Sequence, residues 1–384
     1  MTFNQTPVSE RVHIGFFGSR NAGKSLLVNK VTNQEVSVVS DTKGTTTDPV
    51  KKTMELLPLG PVVIIDTPGV DDEGTLGKLR VEKTNQILLK TDIAVLVIDS
   101  LLGFSKSDKE LEDIFKEKNI PYIVVYNKVD LINKRDNDKF YVSAKTLENI
   151  NELKEKLASL KPNNQEKRFI IADKLEKGDK VILVIPIDES APAGRIILPQ
   201  QSTLRELLDN HIKVLCVQPE ELQDSIKIFS PKLVITDSQV FNKVKEIVPQ
   251  NIFLTSFSIL FARYKGNLEK LTRGAKLLKS LKTGDKVLIS EGCTHHRQCN
   301  DIGTKKLPMW IENFSGAKPN FEFTSGGEYP MDTSKYKLVV HCGGCMLNPK
   351  EMASRLERTE NIVNYGVAIS CMNGILDRAL EILK

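Results

Sequence analysis

The sequence has few cysteines, no long apolar run and no marked excess of either charge. The chain of 384 residues has six cysteines and a formal net charge of +5 at pH 7. So small a charge, without a basic run or an RNA-binding motif, gives no support to a nucleic-acid-binding protein. Six cysteines in so long a chain are also too few for a disulfide framework.

Membrane and secretory signals are absent as well. No apolar run approaches the roughly 18 residues of a membrane span, and residues 1–17 lack a basic segment followed by an apolar stretch. The sequence therefore predicts a cytoplasmic protein without a membrane partner.

The cysteines are unevenly distributed along the chain. No cysteine precedes Cys216, and five of the six lie from Cys293 onward. We expect thiol chemistry in the C-terminal third. The length is that of two or three domains of ordinary size, and 40% hydrophobic with 27% charged residues is normal for globular domains.

A phosphate-binding loop is predicted near the N-terminus. The apolar stretch 11–18 is typical of a strand, and it leads into GSRNAGKS at 18–25 and then a helical segment. In this order the loop N–H groups surround phosphate oxygens. Lys24 is expected to reach the β- and γ-phosphates and to be catalytic, and Ser25 to ligate Mg²⁺. The loop residues assigned to the nucleotide are Gly18, Asn21, Ala22, Gly23, Lys24 and Ser25.

Three further motifs follow predicted strands, where open α/β sheets place ligand-binding residues. They are Asp66-Thr67-Pro68-Gly69, Asn127-Lys128-Val129-Asp130 and, in a predicted fifth strand over 141–145, Ser143-Ala144-Lys145. Asp66 is placed to orient Mg²⁺-bound water, and the Gly69 N–H to meet the γ-phosphate during catalysis. The Asp130 carboxylate can accept N1–H and N2–H of guanine, a donor pair that adenine lacks, and residues 143–145 can cover the base. The sequence therefore predicts a GTPase domain.

These motifs resemble the translation-factor-like GTPases of the group that contains Era and the tRNA-modifying GTPase MnmE. Residues 44–50, GTTTDPV, resemble the switch I of that group, which implies a catalytic, Mg²⁺-binding Thr46, with Thr45 and Thr47 as alternatives. Asn21 matches the asparagine that holds K⁺ in potassium-activated members, although a turn also favours asparagine.

Val70 stands where Ras-type enzymes have a water-positioning glutamine. We therefore expect slow intrinsic turnover, accelerated by K⁺, dimer contacts or a partner, as suits a switch. Residues 71–80 have the polar, glycine-containing composition of a switch II segment.

The middle third alternates predicted strands and helices after a polar linker at 160–167, which indicates a small parallel sheet. It has no phosphate loop and no convergent acid and base residues. Its apolar loop 185–199 suggests a surface for self-association.

Two cysteine clusters follow strands in the last third. Cys293 lies just past the end of a predicted strand in KVLISEG, with a helix expected from near Asp301, and His341, Cys342 and Cys345 follow a second predicted strand, YKLVV. From the residues alone, the thiols could hold a [4Fe–4S] cluster with one open iron position, hold zinc with one histidine, form a redox pair, or do neither.

A GTPase domain followed by C-x-H, about forty-five residues and H-C-x-x-C resembles the [FeFe]-hydrogenase maturation GTPases. The resemblance implies a [4Fe–4S] cluster on Cys293, Cys342 and Cys345. It leaves open whether His295 or His341 is a fourth ligand or a neighbour of the cluster. It also implies a scaffold that works with two radical SAM maturases and delivers a transient diiron precursor to apo-[FeFe]-hydrogenase under control of GTP.

The sequence as a whole predicts an α/β protein with a P-loop GTPase parallel sheet and two smaller parallel α/β units. The expected domains are 1–163 for GTP, 168–266 for dimerisation and 267–384 for the cluster, in a homodimer or larger assembly. The alternative is a GTPase of RNA modification or ribosome assembly with a zinc module.

Overall fold

The computed structural model describes residues 7–33, 50–67, 84–161, 168–187, 196–292 and 302–384. The chain divides into two compact units, Met1–Gln165 and Glu166–Lys384. Together they contain three sheets with helices between the strands, which confirms the predicted α/β class. Within the described ranges, no helix has the length and apolar character needed to cross a membrane.

The first unit is built on a five-stranded sheet of order β2-β3-β1-β4-β5. Its strands are β1 (Val12–Phe17), β2 (Val50–Leu56), β3 (Gly60–Asp66), β4 (Ile93–Asp99) and β5 (Tyr122–Asn127). Its helices are α1 (Lys24–Thr32), α2 (Lys106–Glu117) and α3 (Ile150–Ser159). Strands β3, β1, β4 and β5 are parallel to one another, and β4 is buried along its whole length. Two hydrophobic clusters contribute to the core of this unit, as expected where helices cover both faces of a parallel sheet.

Two features of this sheet differ from the prediction. The predicted fifth strand over 141–145 is wrong, because only a single bridge joins Tyr141 to Tyr126. Beyond it the Ser143 hydroxyl accepts the N–H groups of Lys145 and Thr146, so a turn replaces strand pairing. In addition, β2 pairs antiparallel with β3 at one edge, which the polar sequence of β2 did not indicate.

The second sheet has the order β7-β6-β8-β9 and is parallel throughout. Its strands are β6 (Lys180–Val184), β7 (Lys213–Val217), β8 (Leu233–Thr236) and β9 (Phe253–Ser256). Its helices are α4 (Leu198–Asp209), α5 (Leu222–Phe229), α6 (Phe241–Ile247) and α7 (Phe257–Lys265). The predicted alternation of strands and helices is confirmed. Residues 188–195 of the proposed self-association loop lie outside the described residues.

The third sheet has the order β11-β10-β12-β13 and is also parallel. Its strands are β10 (Lys286–Glu291), β11 (Asn320–Ser325), β12 (Leu338–His341) and β13 (Ile362–Asn364). Its helices are α8 (Leu268–Leu277), α9 (Leu307–Ser315), α10 (Pro349–Arg358), α11 (Tyr365–Met372) and α12 (Leu376–Leu380). Asp301, where a helix was expected, lies outside the described ranges, and a π-helical turn at Ile302–Lys306 leads into α9.

The second and third sheets pack together within the second unit. One hydrophobic cluster contains residues from both, among them Ile182 of β6 and Val340 of β12. The C-terminal α12 also returns to the second sheet, where the Thr255 hydroxyl donates to the Ala379 carbonyl at 2.8 Å. Helix α7 also contacts the third sheet, because Asn364 Nδ2 at the end of β13 donates to the Ser258 carbonyl at 3.4 Å.

Candidate functional site: a nucleotide loop and a cysteine turn

The phosphate loop leaves β1 and ends at the first residue of α1. Gly18 and Gly23 have φ of 134° and 85°. A β-carbon at Gly18 would lie 2.2 Å from the Val97 carbonyl oxygen, and one at Gly23 would lie 2.4 Å from Asn127 Nδ2. Both positions therefore require glycine, because conformation and space each exclude a side chain.

Lys24 is buried at the start of α1. Its Nζ donates to the carbonyls of Gly18 at 2.8 Å and Ser19 at 2.7 Å. The ammonium is thus held inside the loop, where the loop N–H groups and the helix N-terminus favour an anion. Asn21, the predicted K⁺ ligand, has φ of 61°, and Ala22 is fully buried.

Ser25 and Asp66 form the part of the predicted Mg²⁺ site that the structure describes. The Ser25 hydroxyl donates to Asp66 Oδ2 at 2.6 Å. Among the described residues, the buried Asp66 Oδ1 has no hydrogen-bond partner. A buried carboxylate oxygen left over beside a hydroxyl fits a hard cation, since Mg²⁺ prefers oxygen ligands.

Asn127 connects the phosphate loop with the turn at 143–145. Its Nδ2 donates to the Ala22 carbonyl at 2.9 Å, and its Oδ1 accepts the Ala144 N–H at 3.1 Å. Asn127 is 1% exposed, and its side chain holds the two loops together.

The base-specificity residues lie beside this connection. Asp130 is exposed, and its Oδ1 accepts the Ser143 hydroxyl at 2.6 Å. Lys128 has φ of 66°, and its Nζ contacts Asp99 Oδ2 at 2.5 Å. Asp99 was missed in the sequence, although its place at the end of β4 is the signal that identified the other motifs.

Several predicted nucleotide residues lie outside the described ranges. They are Thr46 with Thr45 and Thr47, Gly69 with Pro68 and Val70, and the segment 71–80. The P-loop, Asp66 and both base-side motifs are the parts that the structure brings together.

The C-terminal cysteine turn follows β12. The register pairs Ser290 of β10 with His341 of β12, so both strands end at one sheet edge, as predicted. Cys342 Sγ accepts N–H groups from Gly292 at 3.0 Å and Gly344 at 3.4 Å. Gly292 is the residue bonded to Cys293, while Cys293 and His295 themselves lie outside the described residues.

The chemistry of this turn fits a metal cluster. N–H groups directed at sulfur stabilise a thiolate, whereas desolvation raises the pKa of the metal-free Cys342 thiol above its usual value. Metal binding would therefore release a proton. The described ranges contain no group of three His, Cys, Asp or Glu residues that could hold a metal. Cys342 and Cys345 are two of the three predicted ligands, and the third is outside those ranges.

His341 lies behind the turn and is fully buried. Its Nε2 is 3.0 Å from Arg355 Nη1 and its Nδ1 is 2.7 Å from the Cys342 carbonyl oxygen. Since an arginine only donates, Nε2 accepts and Nδ1 carries the proton. Burial, with the Arg355 charge, lowers the pKa of His341 to about 3, which keeps the ring neutral. Both nitrogens are thus engaged with the protein.

Arg355 is 1% exposed. Its Nη2 donates to the Gly326 carbonyl at 2.6 Å and to Glu351 at 2.9 Å, and its guanidinium lies 4.8 Å from the Tyr329 ring centre. The guanidinium and His341 together support the Cys342 backbone. Nothing in the local sequence marks Arg355, because its role depends on packing.

Different family models match different parts of the chain. The model of the hydrogen maturase F dimerization domain matches residues 170–266, and that of the hydrogen maturase F tetramerization domain matches residues 269–382. A third family model, described as 50S ribosome-binding GTPase, matches residues 13–128.

Individual relatives resemble only part of the chain. GTPase Der of Maridesulfovibrio salexigens is 37% identical over 32% of this chain and 28% of its own length. The tRNA modification GTPase MnmE of Fervidobacterium nodosum is 30% identical over 39% of this chain and 34% of its own length. The chain thus spans about a third of the length of these relatives. The structure of Aquifex aeolicus Era bound to GDP·AlF₄⁻ is 19% identical with a TM-score of 0.36, covering 56% of this chain and 97% of that one.

The fold and the nucleotide site define a P-loop GTPase domain followed by two parallel α/β units. Because its two maturase domain models together match more than half of the chain, the protein belongs to the hydrogen maturase F family. Its last two domains match models described as a dimerization and a tetramerization domain.

Proposed function

We propose that this protein is a GTPase scaffold that binds a [4Fe–4S] cluster and delivers a diiron precursor to apo-[FeFe]-hydrogenase. The observation that supports it best is the Cys342 sulfur, which accepts two backbone N–H groups, one of them from the residue bonded to Cys293. Cys293, Cys342 and Cys345 would hold the cluster. His341 then acts as a neighbour that fixes the turn, since both its nitrogens are used.

When bound, the cluster supplies an iron whose fourth position is free of thiolate. The turn leaves room beside it. Among the described residues, a β-carbon at Gly343 would meet no atom within 4 Å, and Gly344 has φ of 62°. Small residues at both positions let a bulky metal complex approach the backbone.

The nucleotide cycle would act as a switch. Lys24 and the loop N–H groups bind the phosphates, Ser25 and Thr46 ligate Mg²⁺ beside Asp66, and the Gly69 N–H meets the γ-phosphate. Asn21 would hold K⁺. With Val70 in place of a water-positioning glutamine, intrinsic hydrolysis is slow and K⁺ accelerates it.

The assembly and its partners complete the proposal. The domains span 1–163, 168–266 and 267–384, and the last two mediate self-association as a dimer or larger oligomer. Two radical SAM maturases build the diiron unit, and the apo-hydrogenase receives it. No nucleic acid takes part. Sedimentation of the full chain tests the self-association, because a monomer at all concentrations would contradict it.

Metal analysis tests the cluster directly. The full chain is reconstituted anaerobically with iron and sulfide, and its iron, sulfide and zinc are measured together. We expect about four iron and four sulfide ions per chain, as for a [4Fe–4S] cluster. Stoichiometric zinc without sulfide would instead support an RNA-related GTPase with a zinc module.

A further inference from the structure

Lys265 is the last residue of α7, the helix that follows β9 of the second sheet. Its side chain reaches into the cysteine turn that follows β12 of the third sheet. The residue is 2% exposed. Its Nζ donates to the Cys345 carbonyl at 2.9 Å and the Leu347 carbonyl at 3.2 Å, and lies 3.5 Å from the Gly344 carbonyl. Three carbonyls of one short turn thus converge on one ammonium group.

A buried lysine is uncommon, because removing an ammonium from water is costly unless hydrogen bonds compensate for it. Here the compensation comes from the backbone of residues 344–347. The same contacts fix that backbone, since each carbonyl must face the ammonium. Lys265 therefore determines the path of the chain through Cys345.

The charge of Lys265 also lies next to the candidate ligand Cys345. An iron–sulfur cluster with three thiolates is an anion, and reduction makes it more negative. In a poorly solvated site, a fixed positive charge stabilises the more negative state. Hydrogen bonds and charge near a cluster are among the factors that set its reduction potential.

We propose that Lys265 is a positioning residue of the cluster site, which holds the turn through Cys345 and raises the reduction potential of the bound cluster. This inference rests on the proposed function, since it requires a cluster on Cys342 and Cys345. The inference goes beyond the proposed function because it adds Lys265 of α7, a residue outside the cysteine motifs, to the cluster site.

Two variants separate the charge from the hydrogen bonds. Lys265→Met keeps the apolar stem and removes both, whereas Lys265→Gln removes the charge and keeps an amide donor. The matched control is Lys270→Met in α8, whose Nζ donates to the Leu356 carbonyl at 2.7 Å, outside the turn. All are made in the full chain, checked by circular dichroism and reconstituted anaerobically.

The reduction potential, followed by EPR, is the main measurement. We expect both Lys265 variants to have a lower potential than the wild type, and Lys270→Met to match the wild type. Lys265→Met should also bind the cluster roughly ten- to a hundredfold more weakly, as is usual when a residue that orients metal ligands is lost.

An unchanged potential in folded Lys265 variants would overturn the inference while leaving the proposed function intact. A wild-type chain that takes up no cluster would overturn both. Loss of the fold in both variants would assign Lys265 to stability alone and also overturn the inference.

Discussion

The nucleotide loop and the cysteine turn are both placed at the ends of parallel strands, but they are supported differently. Asn127 and Ser143, which organise the nucleotide site, belong to the motifs that identify it. The cysteine turn is supported by Lys265 and Arg355, which belong to no motif. The phosphate site is built from residues close together in one motif, Lys24 included, whereas the proposed cluster site would depend on buried cations from other elements.

The largest effect is expected for Cys345→Ala, which tests whether the nucleotide loop and the cysteine turn work independently. We expect cluster loading to be abolished and GTP turnover to stay within about twofold, because the two sites lie in different compact units. Cys371→Ala, a half-buried cysteine on α11 of the same unit, is the control and should load normally. Loss of turnover together with the cluster would show that the two sites are not separable.

The converse variant is Lys24→Ala. Removing the ammonium from the phosphate loop should lower GTP turnover by roughly 10²–10³-fold, the usual effect of losing one group that stabilises transition-state charge. Cluster content should not change. Lys30→Ala, in the last turn of α1, is the matched control and should retain turnover. Steady-state phosphate release with iron analysis of the same preparations measures both sites.

Asp130→Asn sharpens the account of base recognition. Its carboxylate would accept two hydrogen bonds from guanine, and bonds to charged groups contribute roughly 1.5–3 kcal/mol each. GTP affinity should therefore fall by at least about a hundredfold. Affinity for xanthosine triphosphate should rise, because its C2 carbonyl can accept from an amide.

Asp136→Asn is the control for that experiment, since Asp136 pairs with Lys139 and belongs to no nucleotide motif. Equal loss of GTP affinity in both variants would remove Asp130 from the base site. Equilibrium titration with fluorescent nucleotide analogues gives the affinities.

The smallest expected effect concerns the monovalent cation. Turnover should be faster in KCl than in NaCl, and Asn21→Gly should remove the difference. Glycine adopts the positive φ of this position but has no side-chain oxygen, so the loop is kept while the ligand is lost. Equal rates of the wild type in both salts would contradict the K⁺ site.

The sequence predicted most of the fold because the strands are short apolar runs bounded by turns, and the family resemblance is confirmed by the two maturase domains. The prediction of a strand at 141–145 was wrong because the Ser143 hydroxyl accepts nearby backbone N–H groups. Such local hydrogen bonds compete with strand pairing, and an apolar pattern does not reveal them. Lys265 was not predictable. Its partners lie about eighty residues away, and only the packing of two sheets brings them together.

The central claim is that thiols from two strand ends hold one cluster, and Cys293→Ala tests it most directly. The full-length variant and the wild type are reconstituted in parallel, and iron and sulfide per chain are measured. The account predicts about four of each in the wild type and loss of the [4Fe–4S] cluster in the variant. A variant with wild-type iron and sulfide would contradict it.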